Sequence, residues 1–102
     1  MYMQSIHIPF LEFEWDLQKA SSNLAKHGIS FEVAIRVFER ETVDRQRLVN
    51  GETRFAATGQ VDTVVLTVVY VKRAAIIRVI SARKASRQER RKYEQARAND
   101  TR

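Results

Sequence analysis

An α+β fold is predicted for this chain: two N-terminal helices packed on an antiparallel β-sheet of about four strands, followed by a basic C-terminal helix. Three observations predict it. Helical periodicity is confined to residues 17–40, β-branched and aromatic residues dominate from Thr42 onward, and a capping box opens a last helix where the apolar runs stop.

A short strand is expected at Leu11 to Trp15, where Phe13 and Trp15 alternate with Glu12 and Glu14. Asp16 then reads as an N-cap. In "LQKASSNLAKH", Leu17, Ala20 and Leu24 share one helical face, and Gln18, Lys19, Ser22 and Lys26 take the other. Gly28 ends this helix, with Lys26 and His27 complementing the dipole in its last turn. Ser30 caps a second helix, "FEVAIRVFER", whose Phe31, Ala34, Ile35 and Phe38 follow the i, i+3, i+4, i+7 spacing. Trp15, Phe31 and Phe38 belong to the core.

The β-rich part begins with a weak strand near Thr42 to Val49 and continues through "ETRFAATG", "TVVLTVVYV" and "AAIIRVISAR", with Val64 to Val71 as the central strand. Gly51 and Gly59 with Asp62 mark two turns. Lys72 and Arg73 mark the third, where the lack of Gly or Asn disfavours a two-residue primed turn. "SRQE", Ser86 to Glu89, has the form of a capping box, so a helix starts at Arg87. Only Tyr93 and Ala96 anchor it.

With 102 residues, 44% hydrophobic and 29% charged, the chain builds one domain spanning 1–102, in which residues 1–10 read as a loose extension and 96–102 as a flexible tail. The absence of Cys excludes disulfides and thiolate metal sites and suits a cytoplasmic location. "MYMQSIHIPFLEFEWD" lacks the basic start of a secretion signal, and the run from Val64 to Val71 is far short of the roughly 20 residues of a membrane span. The net charge of +6 is segregated: residues 1–71 carry 7 Lys and Arg against 9 Asp and Glu, residues 72–102 carry 11 against 3. A basic patch without an amphipathic apolar face points to nucleic acid rather than membrane, although a solvated charged helix gives the same pattern.

His7 and His27 are far apart, no metal-ligand spacing occurs, and three glycines leave no phosphate-cradling loop, so no cofactor is expected. The remaining groups suit metal-free phosphodiester chemistry: guanidinium groups offset charge in the transition state, and a His or Lys moves protons. Lys26 and His27 beside Gly28 are candidates, though both also simply neutralise a helix end. Arg54 and Arg78 can project from one sheet surface as a phosphate clamp, while Glu52 offers Arg54 an ordinary ion pair. Arg83 falls on the opposite face unless a bulge near Ser81 intervenes. Lys19, Lys84, Arg87, Arg90, Arg91, Lys92 and Tyr93 are candidate RNA contacts, with Tyr93 equally an anchor on the core. A sheet-type RNA binder without catalysis would display stacked aromatics, and only Phe55 and Tyr70 are available.

"FEWDLQKASSNLAKHGISFEVAIRVF", "ETRFAATG", "VVLTVVYVKR" and "IRVISARKASRQERRKYE" resemble the BrnT family of bacterial toxins over about Phe13 to Glu94. The resemblance implies a RelE-like fold and metal-free endoribonuclease activity that inhibits translation, with Lys26, His27, Arg54, Arg78 and Arg83 as the basic candidates retained. It also implies neutralisation by a BrnA-like ribbon-helix-helix antitoxin, in a heterotetramer of two toxins and two antitoxins that binds operator DNA.

Overall fold

The computed structural model describes residues 3–8 and 11–100. Strands β1 (Met3–Ile8) and β2 (Leu11–Asp16) lead into α1 (Leu17–His27) and α2 (Phe31–Ala34), which continues as a 3₁₀ helix, Ile35–Glu39. Strands β3 (Val43–Val49), β4 (Glu52–Val61), β5 (Val64–Arg73) and β6 (Ile76–Lys84) precede α3 (Arg87–Asp100). One sheet holds the strands in the order β1-β2-β6-β5-β4-β3, and all neighbours are antiparallel except the parallel pair β2 and β6.

The α+β class and the C-terminal helix hold, but the sheet has six strands rather than about four, two of them ahead of the helices and one pair parallel. The strand at residues 3–8 replaces the expected loose extension: it pairs with β2 from Met3↔Asp16 to Ile8↔Leu11, and Ile6 packs against the core. Helix α3 runs through the first part of the expected tail to Asp100. The rest of these two expectations, residues 1, 2, 9, 10, 101 and 102, lies outside the described residues.

Local signals explain where the elements start. The Asp16 carboxylate accepts from the Gln18 and Lys19 amides at 2.7 and 3.3 Å, and the Ser30 hydroxyl from the Val33 amide at 3.2 Å. Gly28, at φ 71, closes α1 by donating to the Leu24 carbonyl. Past Ala34 the second helix tightens, so Phe31, Ala34 and Val37, three apart, are all fully buried. Gly59 is not a turn residue. It lies inside β4, where an added Cβ would come within 2.9 Å of Val37 Cβ, so the glycine lets the 3₁₀ helix approach the sheet. Register pairing of Arg73 with Ile76 makes Ala74-Ala75 a two-residue turn after all, with Ala74 forced to φ 56.

One sheet face carries the core. Phe13, Trp15, Ala57, Val68, Val79 and Ala82 meet Phe31, Ala34, Ile35 and Val37, with Trp15 and Phe31 edge to face at 5.7 Å. In α1 the expected apolar face is displaced. Leu17 and Leu24 are 43% and 51% exposed, and the buried residue is Asn23. Its amide donates to the Ala82 and Ile29 carbonyls at 2.8 and 3.1 Å and accepts from the Ala82 N–H at 3.1 Å, occupying the place of a strand neighbour beside β6.

Candidate active site

A single irregularity in β6 decides which arginines meet. Ser81 pairs with Val69, but Val79 pairs with Tyr70, so Ile80 is an extra residue and the strand is bulged there. Before the bulge Arg78 lies opposite Val71, and after it Arg83 lies opposite Thr67. Both therefore project from the face away from the core, which regular alternation would forbid.

The same face receives arginines from two more strands. In β3, Arg45 and Arg47 lie opposite Ala56 and Arg54 of β4. Arg45, Arg47, Arg54 and Arg83 line a cavity of about 240 Å³ whose floor includes Val69, Ile80 and Ser81. The Arg54 Nε is buried and has no hydrogen-bond partner among the described residues. Glu52, two residues away, pairs instead with Arg73 at 3.3 Å.

Helix α3 borders a neighbouring cavity of about 450 Å³, lined by Glu89 and Lys92, which shares Arg45 and Arg83 with the first. Ser86 and Glu89 form the capping box in full: the Ser86 amide donates to Glu89 Oε1 at 2.8 Å and the Glu89 amide donates to Ser86 Oγ at 3.2 Å. The same carboxylate takes both Arg83 Nη1 and Nη2, at 2.7 and 3.0 Å, and Arg45 Nη2 at 2.8 Å. Thr67 Oγ1 donates to it at 3.0 Å, and the Thr58 hydroxyl lies 2.8 Å behind Thr67. The Arg83 bond, reinforced by Ser86, Arg45 and Thr67, holds the Glu89 carboxyl far below the usual carboxylate range despite partial burial. In turn the Glu89 hydrogen bond raises Arg83 above its ordinary value.

On the other face, Tyr70 OH donates to Asp44 Oδ2 at 2.8 Å, and burial followed by that bond pushes its phenol far up. Phe55 and Tyr70 stack on each other, with centroids 5.2 Å apart and Tyr70 buried. They form no open platform for bases.

Of the residues singled out from sequence, Arg54 and Arg83 line the groove. Arg78 shares the face but is paired with Glu14 at 3.1 Å. Lys26 and His27 stand exposed at the end of α1, on the helix that covers the core side of β6, and are not brought to the arginines. Lys19 is exposed on α1, and Arg87, Arg90, Arg91 and Lys92 are exposed on α3. Lys84 and Arg90 line a separate, larger groove on α3, about 610 Å³, whose wall includes Arg97. Tyr93, 3% exposed with the Arg97 guanidinium 5.8 Å above its ring, anchors α3 and lies at the wall of that larger groove.

Sequence reasoning missed Arg45 and Arg47. Their i, i+2 spacing in "DRQR" was the available signal, since it places two cations on one face of a strand. The sequence marks Glu89 only as part of a helix cap.

A family model described as "Ribonuclease toxin, BrnT, of type II toxin-antitoxin system" matches residues 15–89. The matched span holds all four groove arginines and ends on Glu89. No curated protein matches the chain.

Proposed function

The chain belongs to the BrnT family of type II toxin-antitoxin ribonuclease toxins, and from that premise we propose that the arginine groove is where it cleaves RNA, without a metal ion. The supporting observation is the convergence of Arg45, Arg47, Arg54 and Arg83 from three strands on one cavity. Arg47 and Arg54 are direct cross-strand partners, like charges in a position that costs stability, and Arg54 Nε is buried without a partner. An entering phosphate relieves both costs.

Planar guanidinium groups grip phosphate oxygens through paired N–H donors. As the 2′-hydroxyl attacks, charge accumulates on the equatorial oxygens, and fixed donors already in place stabilise it without reorganising. Attack by the neighbouring hydroxyl expels the 5′-oxygen and leaves a 2′,3′-cyclic phosphate. Lys26 and His27 take no part in this reading, and Arg78 acts on the substrate only from the groove's periphery. Exposed Arg87, Arg90, Arg91 and Lys92, with Lys84, hold flanking phosphates irrespective of sequence.

The family supports the remainder of the reading. Cleavage of messages inhibits translation, and a BrnA-like ribbon-helix-helix antitoxin neutralises the toxin by covering the cationic face with acidic and apolar groups. Two toxins and two antitoxins form the complex, which binds operator DNA. No helix among the described residues is long and apolar enough to cross a membrane.

Purified protein incubated with RNA in excess EDTA tests the chemistry. Cleavage that persists and leaves 2′,3′-cyclic ends is expected; abolition by EDTA with rescue by Mg²⁺ overturns it. Replacing Arg87, Arg90 and Lys92 together by Ala should flatten the salt dependence of RNA binding by up to about three units. An unchanged slope would reduce that part of α3 to a solvated face.

A further inference from the structure

We infer that Glu89 is a positioning residue for the RNA-cleaving groove: its carboxylate, fixed in the capping box of α3, holds Arg83 and Arg45 in the orientation in which they meet a phosphate. The inference rests on the reading of that groove as the ribonuclease site.

A helix cap explains only part of what Glu89 touches. The cap needs the reciprocal bonds with Ser86, and a glutamine at this position satisfies them equally. The structure adds three bonds from two arginines and one from Thr67, so that α3, β3, β5 and β6 all meet on one carboxylate. Five hydrogen bonds converge on its two oxygens, more than the roughly four lone-pair directions they offer. The side chain is only 11% exposed.

Arg83 and Arg45 repel each other unless a negative charge stands between them. Glu89 supplies that charge from the α3 side, and Arg83 Nη1 also donates to the Lys84 carbonyl at 3.4 Å. A bidentate bond also fixes the plane of Arg83, and that plane decides whether a guanidinium meets phosphate oxygens edge-on. Arg47 and Arg54 have no such brace among the described residues and are the groups an entering phosphate would order.

Glu89→Gln tests this, because it keeps the cap and removes the charge. Three measurements are made on wild type and variant: cleavage of an RNA oligonucleotide, binding of the same sequence with 2′-deoxyribose so that attack is blocked, and the thermal melting curve. The expected result is kcat reduced at least tenfold with KM unchanged or lower. Binding of the deoxy oligonucleotide should tighten, since the groove gains a net positive charge, and helix α3 should remain folded. Loss and gain in opposite directions are what a purely structural role does not produce.

Cleavage at the wild-type rate would leave Glu89 a helix cap and overturn the inference, and faster cleavage would make it an internal competitor of phosphate, which overturns it equally. Weaker binding together with a lower melting temperature would reduce it to structural support. If the Gln variant fails to fold, Glu89→Asp, which keeps the charge but shortens its reach, should show the same kcat-against-KM split; a uniform loss sinks the inference. Wild-type protein that binds the deoxy oligonucleotide but cuts no RNA would instead sink the ribonuclease reading beneath it.

Discussion

Helices α1 and α3 are fastened to adjacent residues of one strand by opposite means. Ala82 of β6 turns toward α1, whose neutral Asn23 amide bonds its N–H and C=O. Arg83, one residue on, turns the other way to α3, where it meets the charged Glu89 carboxylate. The first attachment is buried and uncharged, and it fixes a helix against the core. The second gathers two arginines and a threonine from three strands at the edge of a cavity, and that suits positioning groups for a substrate. Polar groups at the two helices therefore have different duties, and substitutions should separate them.

Asn23→Ala should have the largest effect. It strips partners from the Ala82 N–H and C=O and from the Ile29 carbonyl, all in a buried setting, and a loss of about 2–4 kcal/mol is expected in urea unfolding. If stability falls by less than about 1 kcal/mol, water replaces the amide and the contrast with α3 disappears.

Arg54→Ala comes next, with opposite signs for activity and stability. Cleavage should drop at least about tenfold, roughly 1.4 kcal/mol of transition-state stabilisation. Stability should hold or rise, because the substitution removes a cross-strand like-charge pair and an unpartnered buried Nε. A melting temperature that falls with the activity would make Arg54 a structural residue.

A smaller effect distinguishes the fastenings by pH. Glu89 has a folded-state pKa depressed by Arg83 above all, so its contribution is fully present above the unfolded glutamate value of about 4.3 and is lost as pH falls below that toward the folded value. The urea midpoint of wild type should fall more steeply below about pH 4.3 than that of Glu89→Gln. The Asn23 fastening has no titrating group, and parallel curves would mean that the Arg83 pairing adds nothing to folding.

Much of this architecture was legible in the sequence because it rests on local rules. Asp16, Ser30, Gly28 and the Ser86–Glu89 box mark helix ends through bonds spanning a few residues, and the structure has each of them. The misses are tertiary. Gly59 resembles a turn residue until Val37 is seen above it, and the first strand exists only through its pairing with β2. The site was half legible for the same reason. Arg54 and Arg83 stand out as cations on strands, but their meeting depends on the Ile80 bulge, which leaves no residue signature in "RVISAR". Arg45 and Arg47 are readable as a same-face pair, but their strand carries a weak β signal, and only its pairing with β4 brings them to the groove.

The smallest expected effect is also the one that tests helical periodicity most directly. By spacing, Leu24 is the apolar anchor of α1 and Asn23 its polar neighbour. In the fold Leu24 is half exposed while Asn23 is buried, since α1 runs off the end of β2 and must complete the hydrogen bonding of β6 where no strand continues. An amide meets that need and a leucine does not, so the helix rotates to present the amide and leaves the leucine at the rim. Leu24→Gln should then change unfolding free energy by no more than about 0.5 kcal/mol, as at an ordinary surface position, against several-fold more for Asn23→Ala. A loss of about 2 kcal/mol or more at Leu24 would mean that apolar burial, not the Asn23 amide, holds α1 in place.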